Sequence, residues 1–396
     1  MITEFLNKNK YNILLILIAV IAVTIRLIHL LNNSMFYGDE VNLLNNVKLL
    51  GYKELIKGLD SVQASPPVFL IISKFVYELF KNSSSYTLDL YLRIFPFICG
   101  IISLVLFYIF DKKIFENKTQ RLIAFLIFAI NTQTIAYCTI FKQYTLELLT
   151  ALALYIIAYD IVFKNKIKWY HPVIMLSSIW FSYSSCFILL PLCIYILIKQ
   201  KQMIIQMLLP LAVSFAVFYE TSFKYVLSSS YHDLINCWNG LEFGYLSIFH
   251  PCRTFIRVGE FFLFGASTPH KIATIICGII ILYAMITYLF SKENSNIKKG
   301  FIITPIILTA IASLLHKYPV VARLTLFLYP LITVILAGYN YKFKRIFITL
   351  ICICAVATAI YYTPKPSLPD NNSRNIIEYQ KGYLDLTSRE DCIVNY

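Results

Sequence analysis

A succession of long apolar stretches constrains this 396-residue chain more than any other feature, since many approach the roughly 20 residues that a helix needs to cross a hydrocarbon core. Apolar residues make up 58% of the sequence and charged ones only 14%, against about a quarter in a soluble domain, so lipid is the expected solvent. The expected fold class is an all-α polytopic membrane protein. The net charge of +14 does not point to nucleic acid, because the lysines and arginines form short clusters between apolar stretches instead of one basic face. Ten cysteines follow no CxxC or Cys/His metal spacing. Cys99, Cys186, Cys193, Cys277, Cys352 and Cys354 fall inside apolar stretches and read as small core residues. Cys237 and Cys252 share one loop and are placed to pair if the compartment is oxidising.

The apolar stretch 11–31 is too long for a signal-peptide core and lacks a small-x-small cleavage site, so it is expected to stay as the first crossing. Lys8 and Lys10 place the amino end in the cytoplasm under the positive-inside rule. Residues 67–80 are apolar enough to pass for a crossing, but they number 14 and carry Lys74 and Glu78, which suits a helix lying at the interface or dipping into it. Lys112, Lys113, Lys118 and Arg121 belong inside, so 90–110 is the single crossing between them and the first external loop. Further crossings are expected near 121–137, 143–163, 170–184, 185–198, 203–220, 272–291, 301–316, 322–339 and 345–362, eleven in all. Each cytoplasmic turn then holds a cluster: Lys164, Lys166 and Lys168; Lys199 and Lys201; Lys292, Lys298 and Lys299; Lys342, Lys344 and Arg345. The transmembrane domain is thus 1–362, with external segments at 32–89 and 221–271, followed by a short external tail at 363–396. Sixteen of the 21 acidic residues lie in external segments or within about a turn of the external surface, which is where the chemistry is expected.

Asp39 and Glu40 follow Met35-Phe36-Tyr37-Gly38 directly after the first crossing. An acid pair beside bilayer-hugging aromatics suits a general base that takes the proton of an attacking hydroxyl, the plain alternative being a solvated loop pair. Asp39 is the preferred base. Glu40 would orient the acceptor or help hold a divalent cation, the one metal position the sequence leaves open, since no His/Asp cluster with ligand spacing occurs elsewhere. Lys142 is the only charge between 131 and 146 and is expected at headgroup depth, where it either neutralises the phosphate of a lipid carrier or snorkels. Glu147, one turn deeper on the face of Gln143, is expected to pair with a cation on another helix. Arg323, after His316-Lys317-Tyr318-Pro319, is either a second phosphate contact or a helix-end anchor. Tyr144, His316 and Tyr318 complete the candidate substrate-binding set, whereas Arg93 reads as structural. The segment 221–271 holds His232, Asp233, Trp238, Glu242, Arg253, Arg257 and Glu260 without a diagnostic spacing.

Four features occur in a telling order between positions 39 and 330: the pair Asp39-Glu40; Ser65-Pro66-Pro67 leading to Tyr91-Leu92-Arg93; Phe141-Lys142-Gln143-Tyr144; and Tyr318-Pro319 before Arg323 and Tyr329-Pro330. In that order the chain resembles the C-type glycosyltransferase superfamily, in its bacterial family 39 branch of protein O-mannosyltransferase-like and aminoarabinose-transferase-like enzymes. The resemblance implies transfer of a sugar from a polyprenyl-phosphate donor to an extracytoplasmic glycan, lipid or protein acceptor, by an enzyme of the cell membrane. It implies Asp39 as the base and the basic matches near the phosphate. Ser65 stands where members often carry His or Lys, so no phosphate or sugar contact is implied from that position. The competing expectations are a lipid or sugar transporter or flippase, which would place charge and broken helices near the midplane, and a non-catalytic envelope assembly protein.

Overall fold

The computed structural model describes residues 2–32, 36–61, 63–230, 236, 244–261, 271–291 and 295–338. Every regular element among them is helical, as expected where backbone donors and acceptors have no water to bond and only helices or closed barrels can span. The order is α1 (Ile2–Asn32), α2 (Gly38–Leu49), a single turn α3 (Tyr52–Leu55), α4 (Pro67–Phe80), α5 (Ser85–Ile114), α6 (Lys118–Ala129), α7 (Thr132–Tyr137), α8 (Tyr144–Lys164), α9 (Tyr170–Phe181), α10 (Cys186–Lys199), α11 (Leu209–Phe218), α12 (Pro251–Gly259), α13 (Lys271–Phe290), α14 (Asn296–Leu314) and α15 (Tyr329–Gly338). By length and composition Lys10–Asn32, Ser85–Ile114, Tyr144–Lys164, Lys201–Phe223 and Asn296–Leu314 suit a crossing, and Tyr183–Lys199, Thr274–Phe290 and Leu326–Gly338 are shorter apolar helices. The chain is a multi-pass, all-α membrane protein.

Helix α4 has the bounds read from the sequence. Pro67 opens it at a position where a missing N–H costs nothing, and its 14 residues extend only about 21 Å, short of a roughly 30 Å hydrocarbon core. Three other expectations are corrected. The single helix expected over 121–137 is broken: Ile130 ends α6, and the Asn131 side chain accepts from the Gln133 and Thr134 amides at 3.0 and 3.2 Å, starting α7 afresh. The helix expected over 203–220 continues through π-helical turns as far as Ser230, so the segment begun at 221 opens as helix. The crossing expected at 322–339 becomes regular only at Leu326, after irregular backbone that carries Arg323. The expected crossing at 345–362, the tail, His232, Asp233, Trp238, Glu242 and the Cys237–Cys252 pairing lie outside the described residues.

The break between α6 and α7 frees carbonyls inside the apolar layer, and Arg26 on α1 meets them. Fully buried, it donates to the Ala129 carbonyl at 2.8 Å, to Thr134 Oγ1 at 2.9 Å and to its own Ala22 carbonyl at 3.0 Å. A cation at the carboxyl end of α6 also complements the helix dipole.

Two apolar cores result. The larger joins α5, α6, α8, α10, α13, α14 and α15, with Phe107 stacked on Phe128 and Phe110 against Tyr155. The smaller lies under α2, α3 and α4, where Leu43, Leu44, Val47, Phe69 and Leu70 pack against the first turns of α5 and on Phe141. This second core fixes a cap of short helices against the α7–α8 turn, and the candidate site lies at that junction.

Candidate active site

Tyr37 caps α2, so Asp39 and Glu40 fall in its first turn, where acidic side chains meet unpaired backbone donors and the positive end of the dipole. The two neighbours then point to different surroundings. Glu40 is 1% exposed: its oxygens take the Arg93 guanidinium at 3.1 to 3.3 Å, the Phe141 amide at 2.6 Å and the Tyr37 amide at 3.3 Å. Arg93 in turn lies over the Phe36 ring, 4.6 Å from its centroid, and Phe36 stacks on Phe141. Glu40 is therefore the post to which α5 and the α7–α8 turn are tied.

The Asp39 side chain keeps 30% exposure and pairs with Arg323, Nη1 to Oδ2 at 2.5 Å. Lys142, in the turn that the Glu40–Phe141 bond holds, is buried and bonds Gln63 Oε1. It lies within electrostatic reach of both Asp39 and Arg323. Burial alone would raise the Asp39 carboxyl, but Arg323 and Lys142, with hydrogen bonds from Gln63 and Arg323, together hold it below the usual carboxylate range. Burial pulls the Lys142 ammonium down to about 8 against the opposing attraction of Asp39. A carboxylate and two cations from α2, the α7–α8 turn and the stretch before α15 thus meet at one place.

The other candidates have partners of their own. Glu147 is buried on α8, and its described partner is the Ser184 hydroxyl at 3.4 Å, not the cation expected from another helix. Tyr144 meets the Tyr137 ring edge-on and lies within electrostatic reach of Tyr37. His316 takes a left-handed conformation (φ 56°) that ends α14, and its ring stacks on Tyr245 at 4.6 Å. The Tyr318 hydroxyl donates to the Leu324 carbonyl at 2.6 Å, bracing the turn that presents Arg323. Sequence reasoning missed Gln63, whose only visible sign is its place in the short strap before Ser65-Pro66-Pro67, and Arg26, a charge hidden in an apolar run.

The acid pair does not fit a divalent cation. Glu40 is committed to Arg93 and two backbone amides, Asp39 faces two cations of the chain itself, and no group of three His, Cys, Asp or Glu side chains comes together among the described residues.

No family model and no curated protein matches the chain. Two solved structures from Archaeoglobus fulgidus do. One is an oligosaccharyltransferase tethered to an acceptor peptide containing the NVT sequon, with a TM-score of 0.52 and 16% identity, over 91% of this chain and 55% of that one. The other is the oligosaccharyltransferase AglB in complex with an inhibitory peptide and a dolichol-phosphate, with a TM-score of 0.51 and 14% identity, over 90% of this chain and 56% of that one. The chain spans about half the length of these proteins, and what it shares with them is a helical fold.

Proposed function

We propose that this protein is a membrane glycosyltransferase that moves a sugar from a polyprenyl-phosphate donor to an acceptor hydroxyl on the external side, in one inverting displacement. The convergence of Asp39 with Lys142 and Arg323 carries the reading. The donor's phosphate is an anion at the membrane surface, and the two cations are its natural partners, Arg323 with a planar fork and Lys142 as a point charge. The acceptor oxygen attacks the anomeric carbon, the bond from that carbon to the phosphate oxygen breaks, and the electron pair leaves with the lipid phosphate. The hydroxyl proton passes to Asp39.

Asp39 held below the carboxylate range is a weak base, and the donor resolves this. When the phosphate takes Arg323 and Lys142 to itself, the two charges that depress Asp39 are neutralised, and the carboxylate becomes more basic as the reaction becomes possible. Charge stabilisation of the leaving phosphate in a water-poor site is usually among the largest catalytic terms. That one similar structure holds a dolichol-phosphate and the other an acceptor peptide supports a lipid-linked donor and an acceptor that arrives separately.

The test is a screen of the purified protein in bilayers against radiolabelled polyprenyl-phosphate sugars, following release of the lipid phosphate. A donor consumed by the wild type, bound but not consumed by Asp39→Asn, and bound weakly by Lys142→Ala is the expected pattern. Undiminished transfer by Asp39→Asn overturns the assignment of the base, and no turnover of any such donor by the wild type overturns the reaction class.

A further inference from the structure

Gln63 lies between the two charged groups on which the proposed reaction depends. Its side-chain carbonyl accepts from Lys142 Nζ, its amide nitrogen donates to the Ser61 carbonyl at 3.3 Å, and the same amide lies within reach of the Asp39 carboxylate. The orientation of the amide is fixed by chemistry: an ammonium can only donate and an ionised carboxylate can only accept, so the oxygen faces Lys142 and the nitrogen faces Asp39. Among side chains of that length only a carboxamide serves both partners. Gln63 is 7% exposed, so neither bond is traded freely with water.

The backbone that carries it is pinned at both ends. Upstream, the Asn46 side chain accepts from the Asp60 amide at 2.8 Å and donates to the Asp60 carbonyl at 3.1 Å. Ser61 then takes a left-handed conformation (φ 61°), which turns the strap inward. Downstream, Gln143 Nε2 donates to the Ala64 carbonyl at 3.1 Å, Ser65 Oγ meets Gln143 Oε1 at 3.3 Å, and the Tyr183 hydroxyl donates to the Ser65 carbonyl at 3.0 Å. Gln143 follows Lys142 in sequence, so the strap is registered against the very turn whose lysine Gln63 holds.

We propose that Gln63 is the positioning residue of this site, an uncharged spacer that keeps the Lys142 ammonium beside the Asp39 carboxylate without letting the two collapse into a direct ion pair. The inference rests on the glycosyltransferase reading for the identity of the phosphate, but its geometry does not. Without the spacer, Lys142 is free to close on Asp39, which costs the phosphate a cation and weakens the base. Replacing the amide by a carboxylate keeps a partner for Lys142 and turns the contact with Asp39 into a repulsion.

The experiment uses the full chain in lipid nanodiscs with Gln63→Met, Gln63→Glu, Lys142→Ala and the Gln63→Met/Lys142→Ala double variant. Binding of an unglycosylated polyprenyl phosphate should weaken about tenfold in Gln63→Met and more in Lys142→Ala. If Gln63 acts through Lys142, the double variant should bind no worse than Lys142→Ala. Additive losses, or unchanged binding in Gln63→Met, overturn the proposal.

A second readout needs no lipid phosphate: the titration of Lys142, followed by isotope-labelled methyl groups on its amine. Asp39, Arg323 and Glu40 are the charges around it, and it titrates at about 8 in the wild type. Closure of Lys142 on Asp39 should move that value up in Gln63→Met, whereas a downward movement there means that only an acceptor was lost and overturns the spacer role; an added carboxylate should move it up in Gln63→Glu. No movement in either variant overturns the positioning role. A wild type that binds no polyprenyl phosphate overturns the glycosyltransferase reading, and the Lys142 titration then decides the role of Gln63 by itself.

Discussion

Two adjacent carboxylates in the first turn of α2 are held in different ways, and mutation should separate them. Asp39→Asn keeps the shape of the side chain and removes its basicity, so sugar transfer should fall by about 10²–10⁴-fold with thermal stability nearly unchanged. Glu40→Ala strands the buried Arg93 charge and frees the Phe141 amide, which should cost about 3–5 kcal/mol and lower the unfolding temperature of the purified protein. Equal unfolding temperatures for the two variants would contradict the division of roles. The pH dependence follows from the cations. Lys142 loses its charge as pH rises through about 8, so the affinity for a polyprenyl phosphate should fall above that point. Arg323 is a like charge that lowers Lys142, so the fall should move to higher pH in Arg323→Ala, measured by titrating lipid-phosphate binding from pH 6 to about 10. Of these residues, Asp39, Lys142 and Arg323 are legible in the sequence, because polar charges flanking apolar stretches can be assigned a membrane depth. The bond of Glu40 to Arg93 is not, because that partner lies 53 positions away and nothing local distinguishes Glu40 from Asp39. Gln63 is uncharged in a polar loop, so hydropathy and charge counting both pass over it.

At the scale of elements, hydropathy windows recover helices that are uniform along their length and blur those that are interrupted. The bounds of α4 and α8 follow closely from continuous apolar runs with polar or basic flanks, whereas α1 starts nine residues before the expected crossing and α5 extends beyond it at both ends. The break before α7 is averaged away by such a window, although Asn131-Thr132 is an N-cap signal in plain view. Arg26 is the counterpart of that break. Replacing it by Leu leaves the Ala129 carbonyl and Thr134 without their donor in an apolar layer, and should cost about 1–3 kcal/mol in thermal unfolding. The same change should leave the apparent affinity for lipid phosphate within about twofold, because Arg26 touches none of the groups that would hold it. A loss of affinity as large as that of Lys142→Ala would instead place the α6–α7 break in the binding site.

For the molecule as a whole, orientation is the expectation on which the external site depends. In a background without reactive native cysteines, Asp60→Cys should be labelled by an impermeant thiol reagent added outside intact cells, and Asn165→Cys only after the membrane is opened. External labelling at 165 reverses the orientation and removes the external site with it.

The ion pair between Asp39 and Arg323 joins positions 284 residues apart, and that separation governs how the protein is made. As the chain is threaded into the membrane from its amino end, α1, α2 and the Glu40–Arg93 pair can form early, while the stretch that carries Arg323 leaves the ribosome much later. A chain stalled or cleaved before that point holds Asp39 without its Arg323 partner. The site therefore assembles late: Asp39 meets Arg323 only after nearly all the described helices have been made.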